Sequence, residues 1–391
     1  MSRQGPTRLA LTWVGLLLIT ATPLAPASSA HAEASPLQAG TSIADGEAGV
    51  GSFTAILRGP DGLALISYYD GTHGDLKVAH CSNLSCSAAT ATSVDDVGIV
   101  GLDTSIALGT DGLALIAYLD YTHDDLKVAH CEDATCSRAG TSTIDSAGAV
   151  GAFTSITVGA DGLGLISYYD HTNEHLKVAH CTDRPCTKAK TTTVDTRRGV
   201  GALTSVTVGS DGLGLVSYLD YADGDLDVLH CSNAECSTAT VTAVDAAGIV
   251  GDSSSITVGA DGRGLVSYRD ATNNALKTAH CLDLNCSIAT TATLDSGLGA
   301  ISDPTSIRIG TDGLGLIAYL DGARGHLKFA HCSDVTCSTA SVSTVDSSAE
   351  VGFYPSVVVG ADSLGLMSYF DAHNEHLKVA HCPTLLCGAV G

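Results

Sequence analysis

The chain has 391 residues and a formal charge of −23, from 42 acidic and 19 basic side chains. Nucleic acid and anionic membrane surfaces are bound through an excess of Lys and Arg, so a chain this acidic is poorly suited to either and better suited to cations or basic partners. Glycine is abundant at 43 and proline scarce at 9, and the single tryptophan is Trp13.

Residues 1–32 read as a secretory signal. Arg3 and Arg8 form a short basic start, residues 9–19 are mostly apolar, and Ala30-His31-Ala32 is a small-residue cleavage site. A mature chain of residues 33–391 then contains no tryptophan. No later stretch approaches the roughly 20 uninterrupted apolar residues of a membrane span, so a secreted protein, monomeric and without a membrane anchor, is the expectation.

From Ser52 onward a unit of about 50 residues recurs. Its His-Cys mark falls at His80-Cys81, His130-Cys131, His180-Cys181, His230-Cys231, His280-Cys281, His331-Cys332 and His381-Cys382. In the third copy, Thr154 to Val158 alternates polar and apolar residues as a first strand, A. Gly159 to Gly162 is a tight turn, and Leu163 to Asp170 a second strand, B, apolar on both faces. A polar connection from His171 to Glu174 leads to strand C, Leu176 to Cys181, and a further turn leads to a Thr-rich strand D ending at Asp195. No segment has a helical period.

Four antiparallel strands repeated seven times predict an all-β fold, a seven-bladed β-propeller. The last copy supplies A, B and C only, while residues 39–45 fall one period before the strand ending at Asp95. An N-terminal strand is therefore expected to complete the last blade and close the ring.

Each copy carries Cys-x4-Cys: Cys81 with Cys86, Cys131 with Cys136, Cys181 with Cys186, Cys231 with Cys236, Cys281 with Cys286, Cys332 with Cys337, and Cys382 with Cys387. Paired cysteines behind a signal peptide predict seven local disulfides. Strand rise separates His180 from Asp170 by about 16 Å, so the repeated His is expected at the lower rim as a packing and hydrogen-bonding device. If Asp170 pairs with His175, Tyr168 faces Lys177, with Asp170 diagonal to it, a contact expected to be structural.

The fourth copy has Asp227 in place of that Lys. Asp220, Asp225 and Asp227 then crowd together without a countercharge, which favours either a bound cation, Ca²⁺ or another divalent ion, or a perturbed pKa. The copies differ most in the B-to-C loops of the upper rim, which makes that rim the candidate binding surface. Its candidate ligand residues are Tyr121, His123, His171, His175, Tyr221, His326 and His376, with Tyr354.

The layout of Ile156 to Val158, Asp161-Gly162, Leu163 to Asp170 and Leu176 to Val178 resembles the NHL-type and related propeller repeats of secreted bacterial proteins. The paired cysteines and the recurring Ala-His-Cys depart from that pattern. The Trp-Asp signature of WD repeats and the Ser-x-Asp-x-Gly-x-Thr-Trp box of sialidase-like propellers are both absent. Near-sevenfold symmetry favours multivalent contact, so the leading expectation is a non-catalytic module whose rim loops bind an extracellular glycan, polymer or protein. The alternatives are a metal-dependent hydrolase or lactonase at the upper channel mouth, or a structural surface protein.

Overall fold

Alternating β-branched and polar residues, punctuated by Asp-Gly turns, give strands and, among the described residues, no helix. The computed structural model describes residues 39–300 and 303–388, and the proposed signal segment lies outside them. Seven four-stranded antiparallel sheets are formed. Blade 3 is typical: A is Val150–Val158, B is Gly164–Asp170, C is His175–Cys181 and D is Ala189–Asp195. In the seventh, Gly40–Asp45 pairs with His376–His381, from Gly40 opposite His381 to Asp45 opposite Leu377, so the ring is closed as expected.

The B-to-C register also follows the sequence reading, with Asp170 opposite His175 and Tyr168 opposite Lys177. Strand A differs: it starts at Val150, before the expected Thr154, and its register with B shifts twice between Val150 and Ser155. The bulge follows from a close approach. A Cβ on Gly151 would lie 2.7 Å from the Leu126 Cα of the preceding blade, and its φ is +91°. Glycine alone fits there, and the next residues must kink to rejoin the ladder.

Seven apolar clusters lie between neighbouring sheets. One joins Leu115, Leu126 and Val128 of blade 2 to Ile156, Ile166 and Ala179 of blade 3. All seven predicted disulfides are formed, and both sulfurs of each sit in these clusters. Around the axis, Ser105, Ser155, Ser205, Ser255, Ser306 and Ser356 each accept a hydrogen bond from an amide of the next blade's A strand, at 3.1 to 3.2 Å. Blade 1 carries Ala55 at this place and offers Ile106 no hydroxyl.

Candidate functional site at the channel mouth

The blade seams come first, because they account for most of the repeated polar residues. The Tyr168 hydroxyl donates to Asp145 Oδ2 at 2.7 Å, and Lys177 Nζ pairs with the same oxygen. Asp145 ends strand D of the preceding blade, so the contact is structural and crosses between blades, as expected. Its main carboxylate is Asp145 and not the expected Asp170. Burial pushes the Asp145 carboxyl up, yet the bonds from Lys177 and Tyr168 outweigh it and hold the group below the usual range. Asp170 instead caps the B-to-C turn, accepting from Asn173 through backbone and side chain at 3.0 and 2.9 Å.

Blade 4 corrects the metal expectation. Arg197 enters the cluster from the loop after strand D, reaching Asp195 at 2.6 Å, Asp220 at 3.0 Å and Asp227 at 2.5 Å. The lost Lys charge has moved to a loop, so the premise of carboxylates without a countercharge fails. Asp225 is opposite Asp220 in the ladder but makes no bond to Arg197. Among the described residues no three His, Cys, Asp or Glu side chains are grouped to hold a metal ion.

The rim residues are scattered. Tyr121 and Tyr221 stand on outer loops, each 57% exposed. His123 Nδ1 lies 3.0 Å from Asp120 in its own turn, and the His171 ring touches Tyr169. His175, His326 and His376 open strand C of blades 3, 6 and 7, opposite Asp170, Asp321 and Asp371. At the lower rim the repeated His does hold the turns: His180 Nε2 lies 2.8 Å from Asp161, whose other oxygen accepts from the Leu163 amide at 3.1 Å. Of the rim candidates only Tyr354 lines the axial channel.

The bulge of strand A builds a ring of which the sequence reading named only Tyr354. At the upper end of a channel cavity of about 190 Å³, the seven blades present Phe53, Asp103, Phe153, Leu203, Ser253, Pro304 and Tyr354. Six of these have φ between +50° and +57°, a region costly for residues with a Cβ. Glycine would relieve each of them, so the side chains are retained against a backbone preference. A signal was available: the glycine at Gly51 recurs in six copies and the threonine at Thr54 in five, and the residue just before that threonine changes from copy to copy.

Phe53 packs on Tyr354 with ring centroids 4.6 Å apart, and Phe153 lies 6.1 Å from Tyr169. Asp103 Oδ2 accepts from the Phe153 amide at 2.8 Å, and burial pushes its carboxyl up to about 6. Behind the ring, Asp303 Oδ1 accepts from the Tyr354 amide at 2.8 Å. Burial raises Asp303 well above the carboxylate range, with the charge of Asp252 adding to it. Burial and then the charges of Asp303 and Asp103 push the Tyr354 hydroxyl up to about 12, so it keeps its proton at neutral pH. Arg269, a departure from the repeat, is held nearby, donating to Asp252 at 2.9 Å. Blade 6, where the extra residue falls, has the shortened A strand Ser306–Ile309.

No protein-family model matches the chain, and no curated protein matches it, so the NHL-type likeness remains one of layout. Solved propellers do share the fold. A leech intramolecular trans-sialidase is 10% identical, with a TM-score of 0.50 over 86% of this chain and 68% of that one. The intramolecular trans-sialidase of Ruminococcus gnavus is 11% identical, with a TM-score of 0.50 over 88% and 98%. The NanB sialidase of Streptococcus pneumoniae is 9% identical, with a TM-score of 0.50 over 88% and 70%. Identity this low establishes the fold alone. Against the expectation of a non-catalytic binding module, the solved propellers named here are sialidases and trans-sialidases, which are enzymes.

Proposed function

We propose that the chain is a glycan-cleaving hydrolase working at the upper channel mouth, outside the cytoplasm. The single observation that carries the reading is the placement of Asp103 on the channel ring where the blades stop being alike, with burial pushing its carboxyl up to about 6. A glycosidic bond breaks when its leaving oxygen takes a proton as the C–O bond opens, and a carboxyl with a raised pKa supplies it. Asp103 is the acid in this reading. Its carboxylate then recovers a proton from the water whose hydroxyl adds to the sugar carbon.

Tyr354 retains its proton and acts as a hydrogen-bond donor to the sugar, and Phe53 and Phe153 offer apolar ring faces to the pyranose or furanose C–H surface. The enzymes of like fold, named as sialidases and trans-sialidases, add support for a glycan over an ester or amide substrate. Seven disulfides suit an oxidising compartment.

The test is a panel of aryl glycosides, including α-ketosides of acidic sugars and furanosides, assayed with the wild type and Asp103→Asn across pH 4 to 8. Turnover that falls above about pH 6 and disappears in Asp103→Asn is the expected result. Turnover unchanged by that substitution overturns the placement of the site.

A further inference from the structure

The opposite end of the channel carries a second departure from the repeat. Where strand A leaves the channel, the blades present Leu57, Ala107, Thr157, Thr207, Thr257, Arg308 and Val358, so one member of an otherwise uncharged ring is a guanidinium. One residue further on, the series is Arg58, Leu108, Val158, Val208, Val258, Ile309 and Val359, again with one charge. The two arginines come from blades 1 and 6, and both line one open recess of about 470 Å³ with Val358 and Val359 of blade 7 between them. Arg308 also lines the channel cavity, so it stands where the two spaces meet.

Among the described residues neither arginine is paired with a carboxylate. Arg197 and Arg269 are both ion-paired, and Arg324 is paired with Asp321 in its own turn. Arg308 makes one hydrogen bond, from Nη1 to its neighbour's Ile307 carbonyl at 2.9 Å, and Arg58 makes none among the described residues. The repeated acids of the A-to-B turns that follow these strands are already occupied: Asp61, Asp312 and Asp362 each face a His, at 2.7 to 2.8 Å, and each accept an amide of their own turn. In a chain of charge −23, two guanidinium forks left free over an apolar floor form a local positive site. A planar or tetrahedral oxyanion matches that donor geometry through charge-assisted, bidentate bonds.

We infer that the lower channel mouth binds an oxyanion, a carboxylate or a phosphate group, between Arg58 and Arg308. The site is separate from the acid at the upper mouth and stands whether or not the chain cleaves glycans. The experiment is calorimetric titration of the full chain with inorganic phosphate and, separately, with malonate. Saturable binding of at least one probe is expected, weakened roughly tenfold by Arg308→Gln and again by Arg58→Gln.

Arg184→Gln, the same charge change on an exposed residue of the blade 3 C-to-D turn, is expected to leave binding unaltered. The probe that binds more tightly identifies the group as phosphate or carboxylate. Failure of both probes to bind overturns the proposal, as does an equal loss in Arg184→Gln, which marks a general charge effect. Thermal melts of the three variants check that each is folded.

Discussion

The blade seams and the channel mouth are made from the same repeat and treat it in opposite ways. At the seams, the Asp, Tyr and Lys contact recurs with little change: Tyr118 and Lys127 on Asp95, Tyr268 and Lys277 on Asp245, Tyr369 and Lys378 on Asp346. At the mouth, one bulged position holds a different side chain in nearly every blade. A seam must satisfy a buried charge wherever two sheets meet, so it tolerates only solutions that keep the charges balanced. The mouth has no such constraint, and variation there is free to shape a ligand site.

The largest expected effect tests the mouth. Asp103→Asn should lower glycan turnover by about 10² to 10⁴-fold, the usual worth of a general acid, while leaving the fold intact. The same substitution has a stability signature with a definite sign. The folded-state pKa of Asp103 is raised from 3.8 to about 6, so the folded protein holds this proton more tightly than the unfolded chain. That contribution to stability is present below pH 4 and is lost as pH rises through 6. Melting temperature against pH should therefore be flatter over this window in Asp103→Asn than in the wild type.

The seam should respond in stability and not in turnover. Lys177→Ala leaves the Asp145 carboxylate buried without its cation, and is expected to destabilise the protein by about 3 to 5 kcal/mol in a urea titration. The Asp145 pKa is lowered, so the clamp is fully formed above pH 3.8 and fails as pH falls through the folded value. A neutral result for Lys177→Ala would end the distinction between seam and mouth.

Blade 4 sharpens the comparison. Arg197→Ala leaves Asp195, Asp220 and Asp227 together with no cation, but Arg197 is 48% exposed, so solvent moderates the loss and the expected effect is smaller than for Lys177→Ala. Adding Asp227→Lys to Arg197→Ala restores the arrangement of the other blades and should recover most of the lost stability, a coupling that a double-mutant cycle measures directly. The smallest expected effect is a gain: Ala55→Ser completes the serine belt by offering an acceptor to the Ile106 amide, and should add about 0.5 to 1.5 kcal/mol.

The comparison also explains what the sequence could and could not reveal. Strand order, ring closure by residues 40–45, the Asp170–His175 register and the seven disulfides were legible because each repeats or follows from a period of two. The seam partner was misassigned because Asp145 lies 32 residues before Lys177, across a blade boundary that local pairing rules do not cover. Arg197 escaped notice because only folding brings a loop residue over Asp227. Apart from Tyr354, the ring at the mouth was missed for another reason: Phe53, Asp103 and Phe153 sit beside a Gly-induced bulge, and a strand expected to begin at Thr154 and its equivalents places them in a loop.

The pairing of Gly40–Asp45 with His376–His381 has a consequence for how the molecule comes into being. The clasp joins the first strand of the ring to its last, so the closing hydrogen bonds cannot form until the seventh blade has been synthesised. Until then, Gly40–Asp45 has no sheet to join and the seam between blades 7 and 1 stays open to water. Such long-range closure slows the final step of folding, and it makes that seam the place where a partly finished ring exposes a strand edge to other chains.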